Sequence, residues 1–211
     1  MKLHDKQFYD KAFDQESYVQ AQIERHRIKR YEKRQVDHYL NCVENIIGLI
    51  VCGDCMVCMV TRNNHERDVF RKGLASKSVN VYSLDISPLS NADYVMDFNT
   101  FPQGWDDKWG ILFSNALDHA VDATDTFNKW LKIVKPNGII VLGFDMKNEE
   151  EESSESSESS EREVERNPVG RSDCCSFKSE TVDRFVKSDN EIFQFVGFFE
   201  NSYKYYVLRK K

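Results

Sequence analysis

Apolar residues follow two different spacings along this chain, and the change between them falls near residue 50. Over residues 1–50, Tyr18, Ile23, Ile28, Tyr31, Val36, Tyr39, Leu40, Val43, Ile46 and Ile47 recur mostly at intervals of three to five, the spacing of one helix face. No Pro or Gly interrupts this stretch before Gly48, so it predicts largely polar helices. From Cys55 onward the apolar positions bunch into short continuous runs instead. Met56–Val60 has the character of a strand buried on both faces, and Val79–Leu84, Tyr94–Met96, Gly110–Ser114 and the largely apolar Ile139–Phe144 read as four further strands. Between them, His65–Leu74 carries Val69, Phe70 and Leu74 at helical spacing, and the stretch from about Thr124 to Val134 carries Phe127, Trp130, Leu131 and Val134. Lys135-Pro136-Asn137-Gly138 reads as a turn. Glu180–Lys187 predicts a last helix. Ile192–Val196 and Tyr203–Leu208 predict an antiparallel pair around Glu200-Asn201-Ser202.

Strand–helix alternation through five strands implies a largely parallel sheet with helices on both faces, and the closing pair adds an antiparallel edge. The pattern breaks once, over residues 147–173. Glu149–Glu152 is followed by Ser-Ser-Glu three times, at 153–155, 156–158 and 159–161. Such a tract has too little apolar surface to offset the entropy of ordering it, so it is expected to be a disordered insert. Three regions follow: an N-terminal helical cap over 1–50, an α/β domain over 51–146 and 174–211, and the acidic insert between its two parts. Charge supports the division. The chain carries a net −6, but residues 149–166 hold nine Glu against two Arg, which leaves the rest near +1.

Composition narrows the class further. Nine Gly and four Pro argue against a turn-rich all-β sandwich, and 40% hydrophobic residues suffice for one sizeable core. No apolar run approaches the roughly 20 residues of a membrane helix, and Met1–Lys6 is too polar for a signal peptide. A cytoplasmic protein without a membrane partner is the expectation. Six cysteines form a poor disulfide framework: Cys52, Cys55 and Cys58 cluster, Cys174 and Cys175 adjoin, and Cys42 stands alone. A zinc site would need a fourth ligand beside the cluster, and Cys58 falls inside an apolar strand where a free thiol serves as a small hydrophobe. No metal is expected.

In an open α/β sheet, ligands sit beyond the carboxyl ends of the strands, where the strand order reverses. The residues at those ends are Thr61, Arg62 and Asn63 after the first strand, Asp85 after the second, Asp97 after the third and Asn115 after the fourth. Asp85 lies 24 positions beyond Thr61, near the roughly 20-residue offset at which an acid meets ribose hydroxyls. A diol presents two donors, and one carboxylate can accept both. Asp97-Phe98 suits a base, offering a carboxylate to an exocyclic amine and a ring to one face.

Five runs carry a resemblance to a known family. They are Val57–Glu66, Ser83-Leu84-Asp85-Ile86-Ser87-Pro88, Val95-Met96-Asp97-Phe98, Phe113-Ser114-Asn115-Ala116-Leu117-Asp118-His119-Ala120 and Leu131–Gly138. Over about residues 50–145 the chain resembles the class I S-adenosylmethionine-dependent methyltransferases, and looks most like their small methyltransferase-domain group. The resemblance implies an α/β fold, a Rossmann-like, seven-stranded, mostly parallel sheet with a C-terminal antiparallel hairpin, and S-adenosyl-L-methionine as cofactor. It implies cofactor contacts from Thr61, Arg62 and Asn63 at the methionine moiety, from Asp85 and Ile86 at the ribose, and from Asp97 and Phe98 at the adenine. Asn115 would lie beside the methyl donor, with Asp118 and His119 on the acceptor side as the catalytic candidates. One departure stands out. The family's first loop is glycine-rich, whereas this one reads Val60-Thr61-Arg62 and meets no glycine until Gly73.

Two readings from different classes follow: a methyltransferase, or a non-catalytic descendant that binds a partner and has lost its cofactor. Acceptor-side residues in this fold come from loops that share no general code, so the acceptor is a small molecule, a protein or RNA at this stage. The basic run from Arg25 to Arg34 reads chiefly as the wet face of a helix, with RNA binding as the weaker reading. Phe8, Tyr9 and Phe13 suit either a cleft cap or the core. The Ser-Ser-Glu repeats suit an acidophilic kinase or a passive solubilising loop.

Overall fold

The computed structural model describes residues 6–7, 20, 23, 33–59, 65–144, 175–188, 191–200 and 204–211. Its elements in chain order begin with β1 (Lys6–Gln7), α1 (Lys33–Ile46), β2 (Cys55–Met59), α2 (His65–Gly73), β3 (Asn80–Asp85), β4 (Tyr94–Val95) and β5 (Trp109–Ser114). They continue with α3 (Ala123–Ile133), β6 (Val134–Phe144), β7 (Cys175–Ser176), α4 (Ser179–Val186), β8 (Phe193–Glu200) and β9 (Lys204–Lys210). Seven strands form one sheet in the order β4-β3-β2-β5-β6-β9-β8. The first five in that order are parallel, and β9 and β8 close the far edge antiparallel. This is the seven-stranded, mostly parallel α/β fold with a C-terminal hairpin that the apolar runs predict.

The continuous apolar runs have a direct cause. Each central strand is covered on both faces, so successive residues alternate between two cores. Val57 and Met59 face a core completed by Phe127, Trp130 and Leu131 of α3 and Val182 and Phe185 of α4. Met56 and Cys58 face a second core completed by Cys42, Val43 and Ile46 of α1 and Phe70 of α2. Glycine serves the packing at Gly143 in β6, where an added Cβ would fall 2.4 Å from the Tyr205 ring of β9. Asp122 starts α3 by accepting from the amides of Thr124 and Asp125 at 2.9 and 3.0 Å, an N-cap that fixes where the preceding loop ends.

The turn expected at Lys135–Gly138 lies inside β6. Trp109 pairs with Val134 but Ile111 pairs with Ile139, so the intervening residues bulge out of register, and Asn137 takes a positive φ of 63°. β8 likewise runs past its expected end at Val196, through a register shift between Phe195 and Gly197. A second, two-stranded sheet has no counterpart in the sequence reading: β1 pairs antiparallel with β7, Lys6 opposite Ser176. Most of the expected cap, Val60–Asn64 and the acidic insert fall outside the described residues. Among those described, no helix is long and apolar enough to cross a membrane.

Candidate active site

β2 is flanked by β3 on one side and β5 on the other, so the strand order reverses there. The carboxyl edge around β2 is therefore where the fold can hold a ligand. Asp85 ends β3, Asp97 follows β4 by two residues, and Asn115 follows β5 directly. Thr61, Arg62 and Asn63, expected at the end of β2, lie outside the described residues.

Asp85 is 1% exposed, and its Oδ1 accepts from the Ser87 amide at 2.7 Å. That bond closes the turn after β3 and fixes the carboxylate at the strand end. Ile86 beside it is half-buried. Asp97 also folds its turn, its Oδ1 accepting from the amide and the side chain of Asn99, both at 2.8 Å. Phe98 departs from the expected role. Its carbonyl accepts from Trp130 Nε1 at 3.0 Å, which turns the ring into the core, 2% exposed and 5.9 Å from the Trp130 ring centroid. A base stacked on this ring is not what the packing offers.

Across β2, a polar chain joins three elements. Asn115 Nδ2 donates to Tyr39 Oη at 3.1 Å, and Tyr39 Oη donates to Glu66 Oε1 at 2.8 Å. Tyr39 of α1 is 3% exposed and Glu66 in the first turn of α2 is 5% exposed. Next to Tyr39 on α1, His38 is buried and shares a hydrogen bond between its Nε2 and Tyr205 Oη of β9. Burying polar groups is costly unless each finds a partner, so this grouping is a structural commitment at the carboxyl edge. The Glu66 charge reaches β2: burial pushes the Cys58 thiol well above its ordinary range, and Glu66 adds to that rise. Burial likewise pushes Cys42 up, against a hydrogen bond from Tyr205. Both thiols are thereby held protonated, and Cys42, Cys52, Cys55 and Cys58 are all free. Among the described residues, no group of His, Cys, Asp and Glu is arranged to hold a metal ion.

Asp118 and His119 sit in a one-turn 3-10 helix over Leu117–His119, just past Asn115. Asp118 Oδ1 lies 3.8 Å from His119 Nε2, an ion-pair separation if the imidazole is protonated. The side chains are partly exposed. β7 packs against this turn, and Lys6–Gln7 of β1 pairs with β7.

The structure therefore gathers Asp85 and Asp97 on one side of β2, and Asn115, Asp118 and His119 on the other. Sequence reading gave no role to Tyr39, Glu66, His38 or Tyr205. Tyr39 scored as one more apolar position on a helix face. Glu66, the first acid after the loop that follows β2, was the signal available.

No family model matches the chain, and no curated protein matches it by sequence. Solved structures do match. A protein from Methanococcus maripaludis assigned as an S-adenosyl-L-methionine-dependent methyltransferase superposes with a TM-score of 0.57 at 17% identity, over 98% of this chain and 97% of its own. Geranyl diphosphate C-methyltransferase from Streptomyces coelicolor, solved with S-adenosyl-L-homocysteine, gives 0.59 at 9% identity over 83% and 76%. The cyclase SpnF gives 0.56 at 9% identity over 81% and 80%. The fold is that of the class I methyltransferases, and at these identities the likeness speaks for the fold alone.

Proposed function

We propose that this chain binds S-adenosyl-L-methionine across the carboxyl edge and directs methyl transfer to an acceptor seated over Asn115–His119. The observation that carries the reading is Asp85, an enclosed carboxylate at the end of the strand next to the switch point, where a ribose diol would present two donors. The donor set fits the cofactor in kind. Asp85 serves the diol, Asp97 an exocyclic amine, and Asn115 a polar group beside the reacting centre. When bound, S-adenosyl-L-methionine supplies an electrophilic methyl group on a sulfonium. The chain's own task is then alignment more than strong base catalysis. Asn115 orients the donor end, His119 takes up a proton released by the acceptor, and Asp118 stabilises the resulting imidazolium.

A second reading is favoured by one feature: no glycine occurs from Asp54 to Lys72, where close backbone approach to the cofactor is ordinarily needed. In that reading the fold is kept as a non-catalytic binding protein. Calorimetry of the intact chain with S-adenosylmethionine and S-adenosylhomocysteine separates the two. The enzyme reading expects binding of both, lost in Asp85→Ala while the melting transition shows the variant still folded. Absence of heat from the unsubstituted chain at millimolar ligand would sink it and leave the binding protein.

A further inference from the structure

We infer that Glu66 is the counter-charge for the α-ammonium group at the amino-acid end of the cofactor, with Tyr39 and Asn115 as positioning residues that hold it there. The inference rests on the cofactor reading above and names the group that would stand in for the missing loop chemistry. With the ribose at Asp85, on the β3 side of β2, the amino-acid end must lie over β2 and β5. That region needs a negative charge, and the local sequence offers few. No acid occurs from Cys55 to His65, and Arg62 makes the loop itself cationic. Glu66 is the first acid after the loop. It lies in the first turn of α2, 5% exposed, close enough to β2 for its charge to act on Cys58.

A buried carboxylate next to the carboxyl edge is costly to keep and is a candidate for meeting a cationic group. Its placement is over-determined by residues 27 and 76 positions apart: Tyr39 donates to Glu66 at 2.8 Å and accepts from Asn115 at 3.1 Å. Asn115 leaves β5 at the switch point, so the chain of bonds ties Glu66 of α2, through Tyr39 of α1, to the carboxyl end of β5. The competing account is that the three residues only pin α1 to α2 and β5. That account predicts lost stability and no discrimination between ligands.

The test compares S-adenosylhomocysteine with 5′-methylthioadenosine, which keeps the adenosine and the thioether but lacks the amino-acid end. In calorimetry on the intact chain, Glu66→Gln should weaken S-adenosylhomocysteine by about tenfold or more while 5′-methylthioadenosine stays within about twofold. Tyr39→Phe keeps the ring and the carboxylate, and should give a smaller loss with the same selectivity. Equal weakening of both ligands, or no change for S-adenosylhomocysteine, overturns the role of Glu66. If the unsubstituted chain binds neither ligand, the cofactor reading falls and takes this inference with it. If it binds both, and Asp85→Ala loses both while Glu66→Gln changes nothing, only the inference falls.

Discussion

At the carboxyl edge of the sheet, Asp85, Glu66, Tyr39 and Asn115 come from four different stretches of chain, and three of them are enclosed. At the amino edge the polar groups find simpler partners. Asp54, its side chain 9% exposed, pairs with the half-exposed Lys135 at 2.5 Å. Lys108 lies 4.7 to 5.5 Å from the ring centroids of Tyr94, Trp105 and Trp109. Lys210 reaches Asp107 Oδ1 and the Val134 carbonyl, both at 2.7 Å. A cavity of about 220 Å³ opens there as well, lined by Leu49, Ile50, Asp54, Gly110, Lys135 and Asn137 among others. It lies across the sheet from the candidate site. Contacts of the amino-edge kind stabilise a fold by ordinary amounts. Enclosed polar groups gathered from distant segments cost stability first and are characteristic of sites that meet a ligand. The comparison therefore predicts that changes at the amino edge alter stability alone, while changes at the carboxyl edge alter ligand discrimination.

The hardest blow to the amino edge should come from Trp109→Ala. Trp109 is fully buried, with the rings of Trp105, Tyr82 and Tyr94 at 5.1, 5.6 and 6.2 Å. Truncation in such a site costs about 3–5 kcal/mol, read as a fall in the denaturant midpoint. The ratio of affinities for S-adenosylhomocysteine and 5′-methylthioadenosine should stay as it was in whatever protein remains folded. A stable variant with a changed ratio would mean that the edges are coupled through β5.

A smaller effect, about 1–3 kcal/mol, is expected for Gly110→Ala. A Cβ there would fall 2.1 Å from the Asp54 carboxylate, which must then leave Lys135. Because the clash needs both residues, the same substitution in an Asp54→Ala background should cost much less. Denaturant unfolding of the four proteins in that cycle gives the coupling directly. Additive losses would show that Gly110 matters for some reason other than the close approach of Asp54.

The two edges also differ in how much of each could be read from the sequence. A strand buried on both faces is apolar at nearly every position, so Met56–Val60 and Gly110–Ser114 announced themselves within a residue of the observed Cys55–Met59 and Trp109–Ser114, and Val79–Leu84 falls one residue short of Asn80–Asp85. Lys135–Gly138 has the composition of a turn, but pairing of Trp109 with Val134 keeps it within β6, a long-range fact that no local window contains. β1 and β7 are two residues each and leave no pattern at all. Asp85, Asp97 and Asn115 could be picked out as candidates because topology alone assigns meaning to a polar residue at a strand end. Phe98 reads in sequence as a ring offered to a base, and its burial is a long-range fact: the bond from Trp130 draws the segment inward. Tyr39 was hidden in a comparable way: a tyrosine fits an apolar helix stripe, and its hydroxyl finds its meaning only in partners far along the chain, whereas Glu66 offered one signal, its place as the first acid after the loop.

The finest test of the contrast is Lys108, whose ammonium covers three rings at the amino edge while the residue itself stays exposed. Two effects are combined there, the charge over the ring faces and the hydrocarbon stem lying on apolar surface. Lys108→Met keeps most of the stem and removes the charge, and Lys108→Ala removes both. Exposed cation–π contacts contribute about 0.5–1 kcal/mol, so the methionine variant should lose no more than that and the alanine variant somewhat more. Tryptophan fluorescence should report the change at Trp105 and Trp109, and neither variant should shift ligand affinity. Equal losses for both substitutions would assign the contribution to charge alone. An alanine loss with none for methionine would assign it to the stem, and the amino edge would then be held by apolar cover even where it presents a cation.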